Sequence, residues 1–153
     1  MPEPDQPYRT LIALDYGLRR IGVAAGTIAT GTATPLTTLT TGTDEPDWPA
    51  LDALIEEWSP DVLIVGLPRN TDGSDSAMTG AVREFAAILG ERYKLQVELV
   101  DERYTSVEAE NILKDQRRQG LRSRKLKKED VDALAAQLIA ESWMQSTGAT
   151  PPT

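Results

Sequence analysis

Four consecutive branched apolar residues, Val62-Leu63-Ile64-Val65, stand between the helix-stopping pair Ser59-Pro60 and the turn-forming stretch Pro68-Arg69-Asn70-Thr71-Asp72-Gly73. A run of this kind suits a β-strand buried on both faces. Such a strand needs a covering layer on each side of its sheet, which favours helices before and after it.

The flanking segments supply those helices. From Pro46 to Trp58, residues Leu51, Leu54, Ile55 and Trp58 recur at amphipathic-helix spacing, and Ser59-Pro60 ends the pattern. A second helix is expected from about Ser76 to Arg92, with Met78, Ala81, Val82, Phe85, Ile88 and Leu89 on its apolar stripe. Upstream, Thr10 to Tyr16, Ile21 to Ala25 and Thr30 to Thr41 read as three consecutive antiparallel strands, with a turn at Gly17. Leu95 to Val100 is a further strand. Thr105-Ser106-Val107-Glu108 has the pattern of a capping box opening a helix that Gly120 would close. A last helix starts near Lys128, with Val131, Leu134, Ala135 and Leu138 on one stripe and Asp132, Ala136, Ile139 and Trp143 on the adjacent one. The order predicts an α/β fold: a mixed five-stranded sheet, three antiparallel strands and then parallel ones, with helices on both faces. One domain is expected over 10–146, between disordered tails at 1–9 and 147–153.

With 153 residues, the chain can bury one core but not build two lobes that close on a substrate. No apolar run approaches the roughly 20 residues of a membrane span. Met1 to Tyr8 carries prolines and acids where an export signal needs a basic and then apolar segment, so a cytoplasmic location is expected. The chain has no cysteine and no histidine. Thiolate metal sites, cysteine nucleophiles, Ser-His catalysis and imidazole-bound zinc are therefore excluded, which leaves chemistry to carboxylates and metals. The net charge of −8 conceals an asymmetry: Lys114, Arg117, Arg118, Arg122, Arg124, Lys125, Lys127 and Lys128 are half of the 16 basic residues, opposed locally by Asp115 alone. Such a patch can track phosphates on an otherwise acidic body; its alternative is a solvated helix end and loop.

Three positions place acids where a carboxylate is costly unless used. Asp15 follows Ala13-Leu14 inside the first strand, and its alternative is a turn residue before Gly17. Asp101 and Glu102 end the last strand, where ligands of open α/β sheets gather; neighbours on a strand face opposite ways, so one of the two can point where Asp15 points. Asp130 complements the dipole of the last helix. Asp132 shares a stripe with Ala136, Ile139 and Trp143 and so should face the protein, with an ion pair to Lys128 as its alternative.

At Ala13-Leu14-Asp15-Tyr16-Gly17-Leu18-Arg19-Arg20-Ile21-Gly22-Val23-Ala24, Ala33-Thr34-Pro35-Leu36 and Val65 to Gly73, the chain resembles the YqgF (RuvX) branch of the RuvC-like Holliday junction resolvases. The likeness continues through Val100-Asp101-Glu102-Arg103-Tyr104-Thr105-Ser106-Val107-Glu108-Ala109 and Lys128 to Ala136, and spans about Leu11 to Trp143. Members of that family are provisionally named as nucleases that process the 5′ end of pre-16S ribosomal RNA. The resemblance implies an RNase H-like fold and places catalytic, metal-holding roles on Asp15, Glu102 and Asp132. The expected cofactor is magnesium or manganese, two ions about 4 Å apart serving phosphodiester hydrolysis. Expected partners are nucleic acid, either pre-rRNA or branched DNA, and ribosomal precursor particles. Phosphate contacts are expected from Arg19, Arg20, Arg69, Asn70, Arg103, Arg117, Arg118, Arg122, Arg124, Lys125, Lys127 and Lys128.

Two departures stand out. Gly26-Thr27 replaces a Ser-Asp usual after the second strand, and Tyr104 replaces a leucine. The missing acid favours a second reading, a catalytically silent RNA-binding assembly factor. A third reading takes Asp15-x-Gly17 with Gly22 as the phosphate loop of an actin-like or sugar-kinase ATPase, which would need a second lobe.

Overall fold

Strand β4 (Val62–Leu67) is buried along its whole length and runs parallel to both of its neighbours, β1 (Thr10–Tyr16) and β5 (Gln96–Asp101). The computed structural model describes residues 8–17, 19–41, 45–68, 76–101 and 128–146, with side chains over 131–145 in the last segment. Strands β2 (Arg20–Thr27) and β3 (Thr32–Thr40) extend the sheet antiparallel from β1, giving the order β3-β2-β1-β4-β5. The predicted sheet, three antiparallel strands and then parallel ones, is the one observed.

Alternation along the strands divides the core into two layers. Ile12 and Leu14 of β1 with Leu63, Val65 and Leu67 of β4 face α1 (Trp48–Trp58) and α2 (Thr79–Tyr93), where they meet Leu51, Val82, Phe85 and Leu89. Leu11, Ala13, Val62 and Ile64 face α3 (Lys128–Ser146) and pack on Ile139, Ala140, Trp143 and Met144. Pro35 is tolerated because β3 is an edge strand and the register shifts opposite Val23 and Ala24.

Local chemistry sets the helix ends. The Asp47 carboxylate accepts a hydrogen bond from the Ala50 amide at 3.2 Å, which moves the start of α1 two residues past Pro46. Ser59, with φ of 44°, ends it in the left-handed conformation. Two expected core residues are solvent-facing instead: Trp58 is 43% and Ile88 is 50% exposed. Trp58 is the final residue of α1, just before the chain turns, and Ile88 lies off the Val82, Phe85, Ala86 and Leu89 stripe. In α3 the stripe holding Ala136, Ile139 and Trp143 is buried, whereas Val131, Leu134 and Leu138 are half-buried.

Anchoring of the chain begins before the expected boundary at residue 10. The Tyr8 ring lies 6.2 Å from that of Trp143, and the amides of Arg9 and Thr10 donate to Asp61 Oδ2 at 2.7 and 3.1 Å. The helix expected from Thr105, the basic run up to Lys127 and the terminal segments 1–7 and 147–153 lie outside the described residues. No helix among the described residues is long and apolar enough to cross a membrane.

Candidate active site

Alternation within β1 turns Asp15 toward α3, on the same face as Leu11 and Ala13. Its cross-strand partner in β2 is Gly22. On the other side, the ladder with β4 ends at the Leu14 and Val65 pair, one residue before Asp15. The cross-strand neighbour of Asp15 is therefore a residue without a side chain.

Gly22 is also where α3 comes down. A Cβ on residue 22 would overlap the carbonyl oxygen and carbon of Asp132 and come within 3.0 Å of the Ala133 nitrogen. The main chain of the helix's first turns thus rests on the main chain of β2, an approach that glycine alone permits. As a result, Asp132 stands next to the strand pair that carries Asp15, although the two residues are far apart in sequence.

Arg20 lies two residues before Gly22 and so shares its face of β2. Its Nε donates to Asp132 Oδ2 at 2.6 Å, with the two side chains 29% and 22% exposed. The turn that delivers Arg20 closes through the Gly17 amide, which donates to the Arg20 carbonyl at 2.9 Å; a Cβ on Gly17 would sit 2.9 Å from that oxygen. The Thr41 amide donates to the Arg19 carbonyl at 2.9 Å, and the Arg19 side chain is exposed at the same turn. At the end of β4, Thr79 Oγ1 donates to the Pro68 carbonyl at 2.7 Å and accepts from the Ser76 amide at 2.8 Å, fixing the start of α2 to the strand end.

Of the two acids ending β5, Asp101 pairs with Leu67 and takes the α1 and α2 face, opposite to Asp15. Glu102 lies outside the described residues, as do Arg69, Asn70, Arg103, Arg117, Arg118, Arg122, Arg124, Lys125 and Lys127. Lys128 opens α3, and its side chain is not described.

The structure thus brings together Asp15, Asp132 and Arg20 and turns Asp101 away. Arg20 enters as a partner of Asp132, and Gly22 enters as the seat of α3. Nothing in local spacing points from Asp132 to Arg20, and the one trace of Gly22 is a glycine inside an apolar strand.

The donor set suits a hard divalent cation. With no histidine or cysteine in the chain, carboxylate oxygens are the side-chain anions available, and these favour magnesium or manganese over softer metals. Two such carboxylates share one face here. Among the described residues, no group of three His, Cys, Asp or Glu converges.

A family profile described as "RuvX: Holliday junction resolvase" matches residues 9–146. A Nitrosococcus oceani protein named "Putative pre-16S rRNA nuclease" is 44% identical over 148 residues, covering 94% of this chain and 90% of that protein. A protein of the same name from Yersinia pestis is 45% identical over 135 residues, covering 88% and 94%. Among solved structures, Thermus thermophilus RuvC in complex with Holliday junction substrate superposes with a TM-score of 0.55 at 14% identity, over 95% of this chain and 99% of that one. The yeast mitochondrial Holliday junction resolvase superposes with a TM-score of 0.54 at 11% identity, over 94% and 80%. The architecture they share is RNase H-like.

Proposed function

Because the chain belongs to the RuvX family of Holliday junction resolvases, we propose that it is a metal-dependent nuclease whose substrate is the 5′ end of pre-16S ribosomal RNA, met in the cytoplasm on ribosomal precursor particles. One observation carries the reading: Gly22 brings Asp132 onto the sheet face that holds its own cross-strand partner, Asp15. Carboxylates gathered on one face of the sheet offer the hard oxygen donors that a divalent cation takes. The choice of RNA is supported by relatives at 44% and 45% identity that bear the pre-16S rRNA nuclease name.

Asp15, Glu102 and Asp132 would hold the ion, magnesium or manganese. Glu102 is chosen over Asp101 because Asp101 faces the opposite layer. A divalent ion bound there supplies an activated water and neutralises charge on the phosphate oxygens. The protein's own part is to hold the carboxylates apart from bulk water and to aim them from a strand and a helix that cannot shift independently. Arg19 at the adjacent turn, with Arg69, Asn70, Arg103 and the basic residues from Arg117 to Lys128, would hold backbone phosphates and contribute affinity rather than sequence choice.

Cleavage of labelled pre-16S RNA and of four-way DNA junctions by the purified protein with magnesium, manganese or EDTA tests this reading. Wild type should cut the RNA with either metal and not with EDTA. Asp15→Asn should fall by more than the roughly 10- to 100-fold that loss of an outer-shell partner costs, and Glu102→Gln and Asp132→Asn should follow it. Cleavage by well-folded Asp15→Asn at the wild-type rate would sink the mechanism. Preferential cutting of four-way DNA would move the substrate to the one in the family's description.

A further inference from the structure

We propose that Arg20 is a built-in competitor of the divalent ion: its guanidinium holds Asp132, and ion and guanidinium occupy that carboxylate in turn. The inference rests on the reading of Asp132 as a metal-holding residue and adds to it a control on when the site loads.

Asp132 and Asp15 are brought onto one face around Gly22. A cation stands beside them in the fold itself. Arg20 shares the face of Gly22 and reaches Asp132 Oδ2 at 2.6 Å across 112 residues of sequence. Both side chains are largely covered, so solvent screens the pair less than it would a surface bridge.

The manner of the contact matters as much as its presence. The other ion pair among the described residues, Arg92 with Asp52, uses Nε and a terminal nitrogen together, at 2.9 and 2.7 Å. Arg20 bonds Asp132 through Nε alone. Arginine binds carboxylate most firmly when two of its nitrogens are engaged in parallel. A one-point bond beside a second carboxylate is better suited to exchange than to scaffolding. When a divalent ion takes the Asp132 oxygen, the guanidinium is released at the carboxyl end of the sheet, where a phosphate would lie. Metal and nucleic acid would then strengthen each other's binding, since such coupling is reciprocal.

The test uses the full chain and manganese. Titration calorimetry should show Arg20→Gln binding Mn2+ about two- to fivefold more tightly than wild type, the range that displacement of an ion pair of this kind allows. Arg20→Lys, which keeps the charge, should return affinity to near the wild-type value. In an Asp132→Asn background the Arg20→Gln gain should vanish. Equal or weaker Mn2+ binding by Arg20→Gln, or a gain that survives Asp132→Asn, would overturn the proposal. A measurement on the wild type covers a variant that does not fold: the Arg20 Nε–H resonance should lose its hydrogen-bond protection at saturating Mg2+, and its persistence there would equally overturn the proposal. Wild type that binds neither ion would remove the metal-dependent reading, and this inference with it. Wild type that binds Mn2+ identically to Arg20→Gln would remove the inference alone.

Discussion

The two faces of the sheet are held by different means. On the α1 and α2 side, bulk does the holding: Tyr16 stacks on Phe85 at 4.4 Å, Phe85 on Trp48 at 6.0 Å, and the Arg92 guanidinium lies 4.7 Å over the Trp48 ring. Arg92 and the Tyr93 hydroxyl both bond Asp52 of α1, so that α2 clamps α1 from its last turn. On the α3 side, where Ile139, Trp143 and Met144 also pack, small residues add a closer approach. Ala13, Ala33, Ala135, Ala136 and Ala140 are buried there and Gly22 has no side chain, so helix and strand approach main chain to main chain. Stacked rings and the Arg92 pair bind the α1 and α2 face, while the close approach at Gly22 sets Asp132 against the strand that faces Asp15. Catalytic geometry depends on backbone placement to within about an ångström, and direct seating of one main chain on another provides that.

The largest expected loss of stability lies on the bulky face. Phe85→Ala removes a ring that touches both Tyr16 and Trp48 and should cost about 3–5 kcal/mol, read from chemical denaturation, while the protein that remains folded keeps its Mn2+ affinity. A matching fall in metal affinity would mean that the two faces are not separable. Gly22→Ala should reverse the pattern. Its methyl must push the first turns of α3 off β2, costing about 1–3 kcal/mol but lowering cleavage about 100-fold. An active Gly22→Ala would show that the seat is not what positions Asp132.

This division also explains what could be read from the sequence. The Val62-Leu63-Ile64-Val65 run announced a doubly covered strand because burial on both faces writes itself as unbroken apolarity. The stripe of Asp132 with Ala136, Ile139 and Trp143 announced an inward-facing acid because helical period is local. The partner of Asp132 was not legible: spacing within a helix points to Lys128, four residues away, whereas the bond runs to Arg20 through tertiary contact. Gly22 gives no periodic signal, since its function lies in the absence of a side chain. Trp58 and Ile88 fit their apolar patterns yet face solvent, because a pattern records which residues are able to be buried and not where the sheet ends. The β3 irregularity opposite Val23 and Ala24 likewise depends on pairing that no single strand encodes.

The smallest effect is expected at the clamp itself, and pH separates it from the core. Hydrogen bonds from Arg92 and then Tyr93 hold the Asp52 carboxyl below its ordinary value. A carboxylate with a lowered folded pKa contributes stability that is fully present above the unfolded value of about 4 and is lost as the pH falls through the lowered one. Asp52→Asn should therefore be slightly less stable than wild type at neutral pH, and the two denaturation curves should converge as the solution is acidified past that range. The partners are 40% and 43% exposed, so the gap should be small and should shrink further in high salt. The alkaline side behaves differently. Burial, followed by the bond to Asp52, pushes the Tyr93 hydroxyl up, which stabilises the fold below the ordinary tyrosine pKa of about 10 and is lost as the pH rises beyond it. Because burial is the larger cause and survives Asp52→Asn, both proteins should lose stability together at high pH. A neutral-pH gap that persists undiminished into acid would mean that the Asp52→Asn substitution perturbs the packing of α1 on α2 rather than removing a charge, and the clamp would then belong with Phe85 and Trp48 as part of the core.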